Sequence, residues 1–371
     1  MKAVFGASLT LMSWSTLWCQ AHSQDLITCG WDEVAALRIT GTNVVTLWTW
    51  TATNSNLPEW SKPLFATTDE CKPYPGGKVL VTSSGGPTLN GAVALIVPQA
   101  SSASNVLFHA RAPNAHSADL LPGNKVAVAM SYHPNGNRMA VFDLAQSDVE
   151  LLSVDLFGAH GVVWDEARQV LWGLADTYIR QYRLQDWETN PQLHLISTTP
   201  LPDIAGHDMT PVANTPELTI STGSHCWLFN RDTRTFVKHP LLGNTPNVKS
   251  ISTHPITSGI VYVQADTSWW TERLRFLAPE QTLHFPGAHF YKARWLPPTA
   301  PQLSISLASA NTALISWPAA WTGFELQQNS DPDTATWITV EEAMEDDGTN
   351  KFVIINPPTG RSFYRLVKSA P

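Results

Sequence analysis

The chain has 371 residues, enough for two domains. Hydrophobic residues make up 43% and charged residues 15%, which excludes a disordered chain or a coiled coil. The net charge is −8 and no Lys/Arg cluster occurs, which argues against nucleic acid as a partner because phosphate contacts need concentrated positive charge.

In chain order, the N-terminus has the features of an export signal. Lys2 supplies the positive start, Ala3 to Trp18 is mostly apolar, and Ala21-His22-Ser23 offers small residues for cleavage after residue 23. The apolar run is too short and too interrupted by Ser and Thr to span a bilayer, and nothing later spans one. The expectation is a secreted protein, whether extracellular, periplasmic or at the cell surface. Cys29, Cys71 and Cys226 remain after the signal; Cys29–Cys71 is the expected pair if one forms, the alternative being three small buried hydrophobes.

From residue 24 onward, short runs of strand composition alternate with Gly, Pro, Asn and Asp. Examples are Lys78–Thr82, Ala92–Val97, Lys125–Met130, Met139–Asp143, Gln169–Leu174, Leu218–Ser221 and Gly259–Gln264. No stretch before residue 300 keeps a helical period, so the chain is all-β. A weak repeat sets Lys72, His116, His160, His207, Lys249 and Lys292 about 44 residues apart, each ahead of an apolar strand. A repeat of that length with about four strands is a propeller blade. Five blades run from Lys72 to Ala288. The sixth combines Phe290–Leu296 as its innermost strand with Leu26–Cys29, Glu33–Ile39 and Val44–Thr51, closing the ring and leaving no open edge. The predicted fold is a six-bladed β-propeller over residues 24–297, with five or seven blades as the alternative if one blade is miscounted.

After Pro297-Pro298, six short runs read as a small β-sandwich over residues 301–371: Leu303–Leu307, Thr312–Trp317, Gly323–Gln328, Trp337–Val340, Lys351–Ile355 and Ser362–Val367. On Ile315-Ser316-Trp317-Pro318, Gly323-Phe324-Glu325-Leu326-Gln327 and Phe363-Tyr364-Arg365-Leu366, this segment resembles the fibronectin type III-like modules of secreted Verrucomicrobia and Planctomycetes proteins. That resemblance implies attachment or spacing at the cell surface rather than chemistry.

The propeller segment also carries a resemblance. It rests on Asp69-Glu70-Cys71-Lys72-Pro73, Ser83-Ser84-Gly85-Gly86, Asn114-Ala115-His116-Ser117, His160-Gly161-Val162-Val163-Trp164-Asp165, Gly206-His207-Asp208, Val248-Lys249-Ser250-Ile251 and Trp269-Trp270-Thr271. Together these are similar to an uncharacterised family of bacterial secreted propellers. A looser likeness is to propeller-type polysaccharide lyases, which place His residues near the central channel; it is a likeness of fold alone.

Equivalent positions in the blades lie on a circle, so the repeat predicts one ring of three His and three Lys at a mouth of the channel. Three nearby Lys keep the imidazoles neutral, and neutral imidazole accepts a proton or ligates a metal. The leading expectation is an acidic, uronate-type saccharide. Lys72, Lys249 and Lys292 would neutralise its carboxylate, and one of His116, His160 or His207 would remove the C5 proton for β-elimination. Trp269 and Trp270, like Trp48 and Trp50, are either sugar-stacking or packing residues. The same three His would alternatively hold a divalent metal for hydrolysis of phosphate or sulfate esters. A third possibility is a non-catalytic interaction platform, with the ring as wet channel lining. Asp69, Glu70, Asp165 and Asp208 stand beside ring positions as candidate partners of the His. A P-loop and a Gly-x-Ser-x-Gly nucleophile elbow are both missing from the sequence.

Overall fold

The computed structural model describes residues 24–296 except 256, and residues 301–368 except 302, 310, 320, 333, 335, 349, 358 and 359. The predicted signal, residues 1–23, lies outside the described residues.

Residues 24–295 form six four-stranded antiparallel sheets. Five are simple meanders in chain order, with innermost strands Thr68–Tyr74, Ala115–Leu121, Gly161–Asp165, Asp208–Pro211 and Val248–Thr253. The sixth takes its innermost strand, Lys292–Trp295, from the far end of the segment and its other three, Gln24–Gly30, Glu33–Thr40 and Asn43–Thr51, from the near end. Leu26 pairs with Trp295 and Cys29 with Lys292 across that seam. Each innermost strand packs on the next, and the last packs on the first, so the ring is closed as predicted.

Alternate side chains of each strand serve two neighbouring blades, as a period of two requires. Ile27 packs with Val34, Cys71 and Val81 towards the first blade, while Leu26 packs with Val261, Leu274 and Ala293 towards the fifth. Burying each such aliphatic side chain contributes roughly 1.5–3 kcal/mol. Gly30 occupies the tightest point of the seam. A Cβ there would lie 1.7 Å from the His289 carbonyl oxygen.

A second device joins the innermost strands, where short polar side chains accept backbone N–H groups of the next blade. Ser117 Oγ accepts from Val162 at 3.3 Å, Asp119 Oδ2 from Trp164 at 3.0 Å and Asp208 Oδ2 from Ile251 at 3.0 Å. Ser250 Oγ accepts from Ala293 at 3.0 Å and Ser252 Oγ from Trp295 at 3.1 Å. Innermost strands have no ladder partner on the channel side, so these bonds satisfy donors that burial would otherwise leave unpaired.

The C-terminal segment forms two sheets. One holds Ser304–Ser309, Thr312–Pro318, Asn350–Ile355 and Met344–Asp346; the other holds Ile338–Thr339, Phe324–Asn329 and Phe363–Lys368. Ile315, Trp317, Leu326 and Val353 fill the space between them. The short strand Met344–Asp346 was not expected from sequence, because Met-Glu-Asp lacks β-branched residues. No helix among the described residues is long and apolar enough to cross a membrane.

Cys29, Cys71 and Cys226 are free, buried thiols, so the expected Cys29–Cys71 bridge is not formed. Burial, and the Cys71 thiol bonded beside it, push the Cys29 thiol well up from its ordinary value.

Candidate functional site

Each innermost strand opens at one mouth of the channel with an extra residue. In the first blade Thr68 pairs with Ser83 and Glu70 with Thr82, which leaves Asp69 as a bulge. His116 and Lys249 are bulged in the same way. His160 and His207 donate their N–H to the carbonyls of Leu174 and Ser221, the partners of Gly161 and Asp208. Tyr291 donates to Cys29, the partner of Lys292. The structural ring is therefore Asp69, His116, His160, His207, Lys249 and Tyr291. Bulges re-aim a side chain and collect near functional sites.

Four of the six ring residues predicted from sequence belong to this circle. Lys72 and Lys292 do not. Lys72 lies three residues past Asp69, bonded to Asp119 at 3.0 Å and to the Val162 carbonyl at 2.9 Å. Lys292 lies one residue past Tyr291 and is fully buried. Its ammonium bonds to Glu70 at 3.3 Å, Asp208 at 3.1 Å and the His116 carbonyl at 3.1 Å. Deeper still, Arg294 grips both of those carboxylates. Burial alone would raise Glu70 and Asp208, but Arg294 and Lys292 outweigh it and hold both below the usual carboxylate range. The channel is plugged there by two cations and two anions.

The ring residues touch in sequence around the mouth. Asn114 donates its amide to the Tyr132 carbonyl, which leaves Asn114 Oδ1 to accept from His116 Nε2 at 3.0 Å. His116 Nδ1 then accepts from the Tyr291 hydroxyl at 3.3 Å and lies 3.5 Å from Asp69 Oδ1. His116 stacks on His160, with ring centroids 4.3 Å apart, and His160 meets His207 edge-on at 5.1 Å. His160 Nδ1 donates to the Gly158 carbonyl at 2.8 Å, so the neutral ring carries its lone pair on Nε2. His207 Nε2 accepts from Lys249 Nζ at 3.0 Å. His207 Nδ1 is buried with no hydrogen-bond partner among the described residues.

Burial sets the protonation states of the ring. It holds His160 down at about 4, and with neighbouring charged groups it holds His116 and His207 well below the usual imidazole range. Burial lowers Lys249 to about 8 and raises Asp69 to about 7. Near neutral pH the ring therefore holds three neutral imidazoles between two groups poised to exchange protons.

The metal reading does not fit this arrangement. Both ring nitrogens of His116 are bonded, to Asn114 and Tyr291, His160 Nδ1 is bonded to the Gly158 carbonyl, and His207 Nε2 is taken by Lys249. Among the described residues no three His, Cys, Asp or Glu are set to hold a metal ion.

Large apolar side chains line the same mouth. Trp269 packs edge-on against Tyr291 and stacks with Trp31, which is 45% exposed. Tyr132 meets His160 and Phe157, and Ile204 sits on the loop that leads to His207. Trp270 packs against His289 and holds its own loop through a bridge to Thr267. Trp50 and Trp48 belong to the core between the sixth and first blades. Of the acidic residues suspected from sequence, only Asp69 meets a His. Asp165 pairs with Arg168 and Arg231 instead. Tyr291 and Arg294 were missed as site residues; a blade alignment on backbone position rather than on charge would have found Tyr291.

Six sheets in a ring with a polar floor at one mouth define a β-propeller. Within that class, the chain belongs to a family of unknown function, DUF6528, which it matches over residues 33–302. No curated protein matches its sequence. Among solved structures, one chain of a nidogen–laminin complex is 12% identical, covering 73% of this chain and 97% of that one, with a TM-score of 0.50. A candidate 6-phosphogluconolactonase from Bacteroides uniformis is 11% identical, covering 93% and 99%, with a TM-score of 0.47. A protein from Lactobacillus plantarum is 10% identical, covering 74% and 100%, also at 0.47. At these identities the likeness concerns the fold alone.

Proposed function

We propose that this propeller binds an acidic saccharide at the bulge-ring mouth, as a secreted protein whose C-terminal sandwich is a fibronectin type III-like attachment module. The observation that carries the reading is the floor itself: an ammonium, Lys249, beside three neutral imidazoles, under a rim that includes Trp31 and Trp269. Aromatic faces stack on sugar rings, and a desolvated ammonium fixes a carboxylate. With Lys72 and Lys292 committed to ion pairs, Lys249 alone meets the ligand's acid group.

The same floor suits β-elimination. Lys249 would stabilise the charge that develops on the carboxylate, and His160 Nε2 would take the C5 proton while the C4–O bond breaks and the leaving oxygen is protonated by solvent. The test is equilibrium binding to a panel of oligouronates and their neutral counterparts, followed by absorbance of the conjugated double bond. Oligouronates should bind, and Lys249→Met and Trp269→Ala should each weaken binding about tenfold or more. Equal binding of neutral sugars, or wild-type binding by Lys249→Met, overturns the reading.

One observation favours a second reading. Phe157 and Ile204 are 54% and 66% exposed on this face, which suits a protein partner. Retained binding of such a partner by Lys249→Met, with no oligouronate bound by the wild type, would establish it.

A further inference from the structure

Lys249 differs from the other channel lysines. Lys72 is held by Asp119, and Lys292 by Glu70 and Asp208. Among the described residues no carboxylate lies within 4.0 Å of the Lys249 ammonium, and its one hydrogen bond runs to an imidazole. The side chain is 8% exposed, at the mouth and not in the plugged channel below. An amine that is desolvated and has no counter-ion is suited to being a nucleophile.

We propose that Lys249 captures a carbonyl group, forming a Schiff base with the aldehyde or ketone of a sugar acid held at the mouth. This rests on the acidic-saccharide reading and deepens it by naming the reactive group. The neutral amine adds to the carbonyl carbon, forming the C–N bond as the C=O π bond opens and the oxygen takes up a proton. Loss of water from the carbinolamine leaves the protonated imine, with no net oxidation or reduction. A 2-oxo acid supplies both groups: its carbonyl is attacked by the neutral amine, and its carboxylate then pairs with the positive charge of the protonated imine that forms. The bond to His207 Nε2 uses one N–H and fixes the amine's orientation. Burial, which lowers Lys249 to about 8, keeps a usable neutral fraction at neutral pH.

The experiment treats the full chain separately with glyoxylate, pyruvate and D-glucuronate in the presence of cyanoborohydride, and locates adducts by peptide mass mapping. Lys249 should be labelled about tenfold or more faster at pH 7 than exposed lysines such as Lys78 and Lys238, with a rate that levels off above about pH 8. Lys249→Arg should give no fast adduct, while Lys78 and Lys238 react as they do in the wild type. Labelling of Lys249 no faster than that of Lys78 and Lys238 overturns the proposal, and the wild-type map alone decides this even if the variant does not fold. A fast adduct without oligouronate binding sinks the saccharide reading and leaves the amine chemistry standing. Oligouronate binding without an adduct does the reverse.

Discussion

Arg294 holds Glu70 through two parallel hydrogen bonds, Nε to Oε1 at 2.9 Å and Nη2 to Oε2 at 2.8 Å, across 224 residues of sequence. The same guanidinium reaches Asp208 at 2.9 and 2.6 Å. First, fourth and last blades thus meet on one side chain. Replacing Arg294 with Ala leaves two buried carboxylates short of positive charge and should cost about 3–5 kcal/mol in urea unfolding. Arg294→Lys loses the fork and should recover only part of that. A variant as stable as wild type would mean that Lys292 alone suffices.

Lys249 should weaken the fold it belongs to. Its folded value of about 8 lies below the ordinary 10.5, so between those values the unfolded chain binds more protons and stability rises with pH. Below pH 8 the full cost of burying the charge remains, on the order of 3 kcal/mol. Lys249→Met should therefore melt higher than wild type at pH 7, and the gap should close by about pH 10.5. A gap independent of pH would contradict the burial of the ammonium.

Asp69 has the opposite slope. Its carboxyl is raised from 3.8 to about 7, so the folded chain holds a proton that the unfolded chain releases. That contribution is complete below about pH 3.8 and is lost as pH rises towards 7. In Asp69→Asn this part of the pH dependence of the melting temperature should vanish.

His160 destabilises the fold on the acid side. Its ring is held neutral down to about 4, whereas the unfolded imidazole protonates near 6.5. Stability should fall as pH drops from 6.5 to 4, and His160→Gln should flatten that fall. Imidazole titration followed by NMR checks the value directly.

Gly30 tests the seam. A methyl group there meets the His289 carbonyl oxygen at 1.7 Å, so Gly30→Ala should separate Gln24–Gly30 from Lys292–Trp295. Hydrogen exchange should then accelerate in those two strands before the rest of the ring.

The fold was largely legible in the sequence because blade length is a spacing, and spacings survive changes of side chain. His116, His160, His207 and Lys249 were found because a basic residue happened to fall on the bulge of four blades. Asp69 and Tyr291 stand on the same bulge with a different chemistry, so alignment by charge slid to Lys72 and Lys292. The position of Arg294 matches Lys72, Asp119, Val163, Thr210 and Ser252 in the other blades, a set with no shared residue type. Its role follows only from the convergence of Glu70 and Asp208 in space.

The seam also has a consequence for how the chain is made. Gln24–Gly30 is among the first strands to be synthesised, yet its partner Lys292–Trp295 is the last of the ring. Until residue 295 is available, three early strands wait as a sheet with an open edge, next to blades that already offer matching edges of their own. Premature pairing with a neighbour or with another copy is the natural error of such a chain.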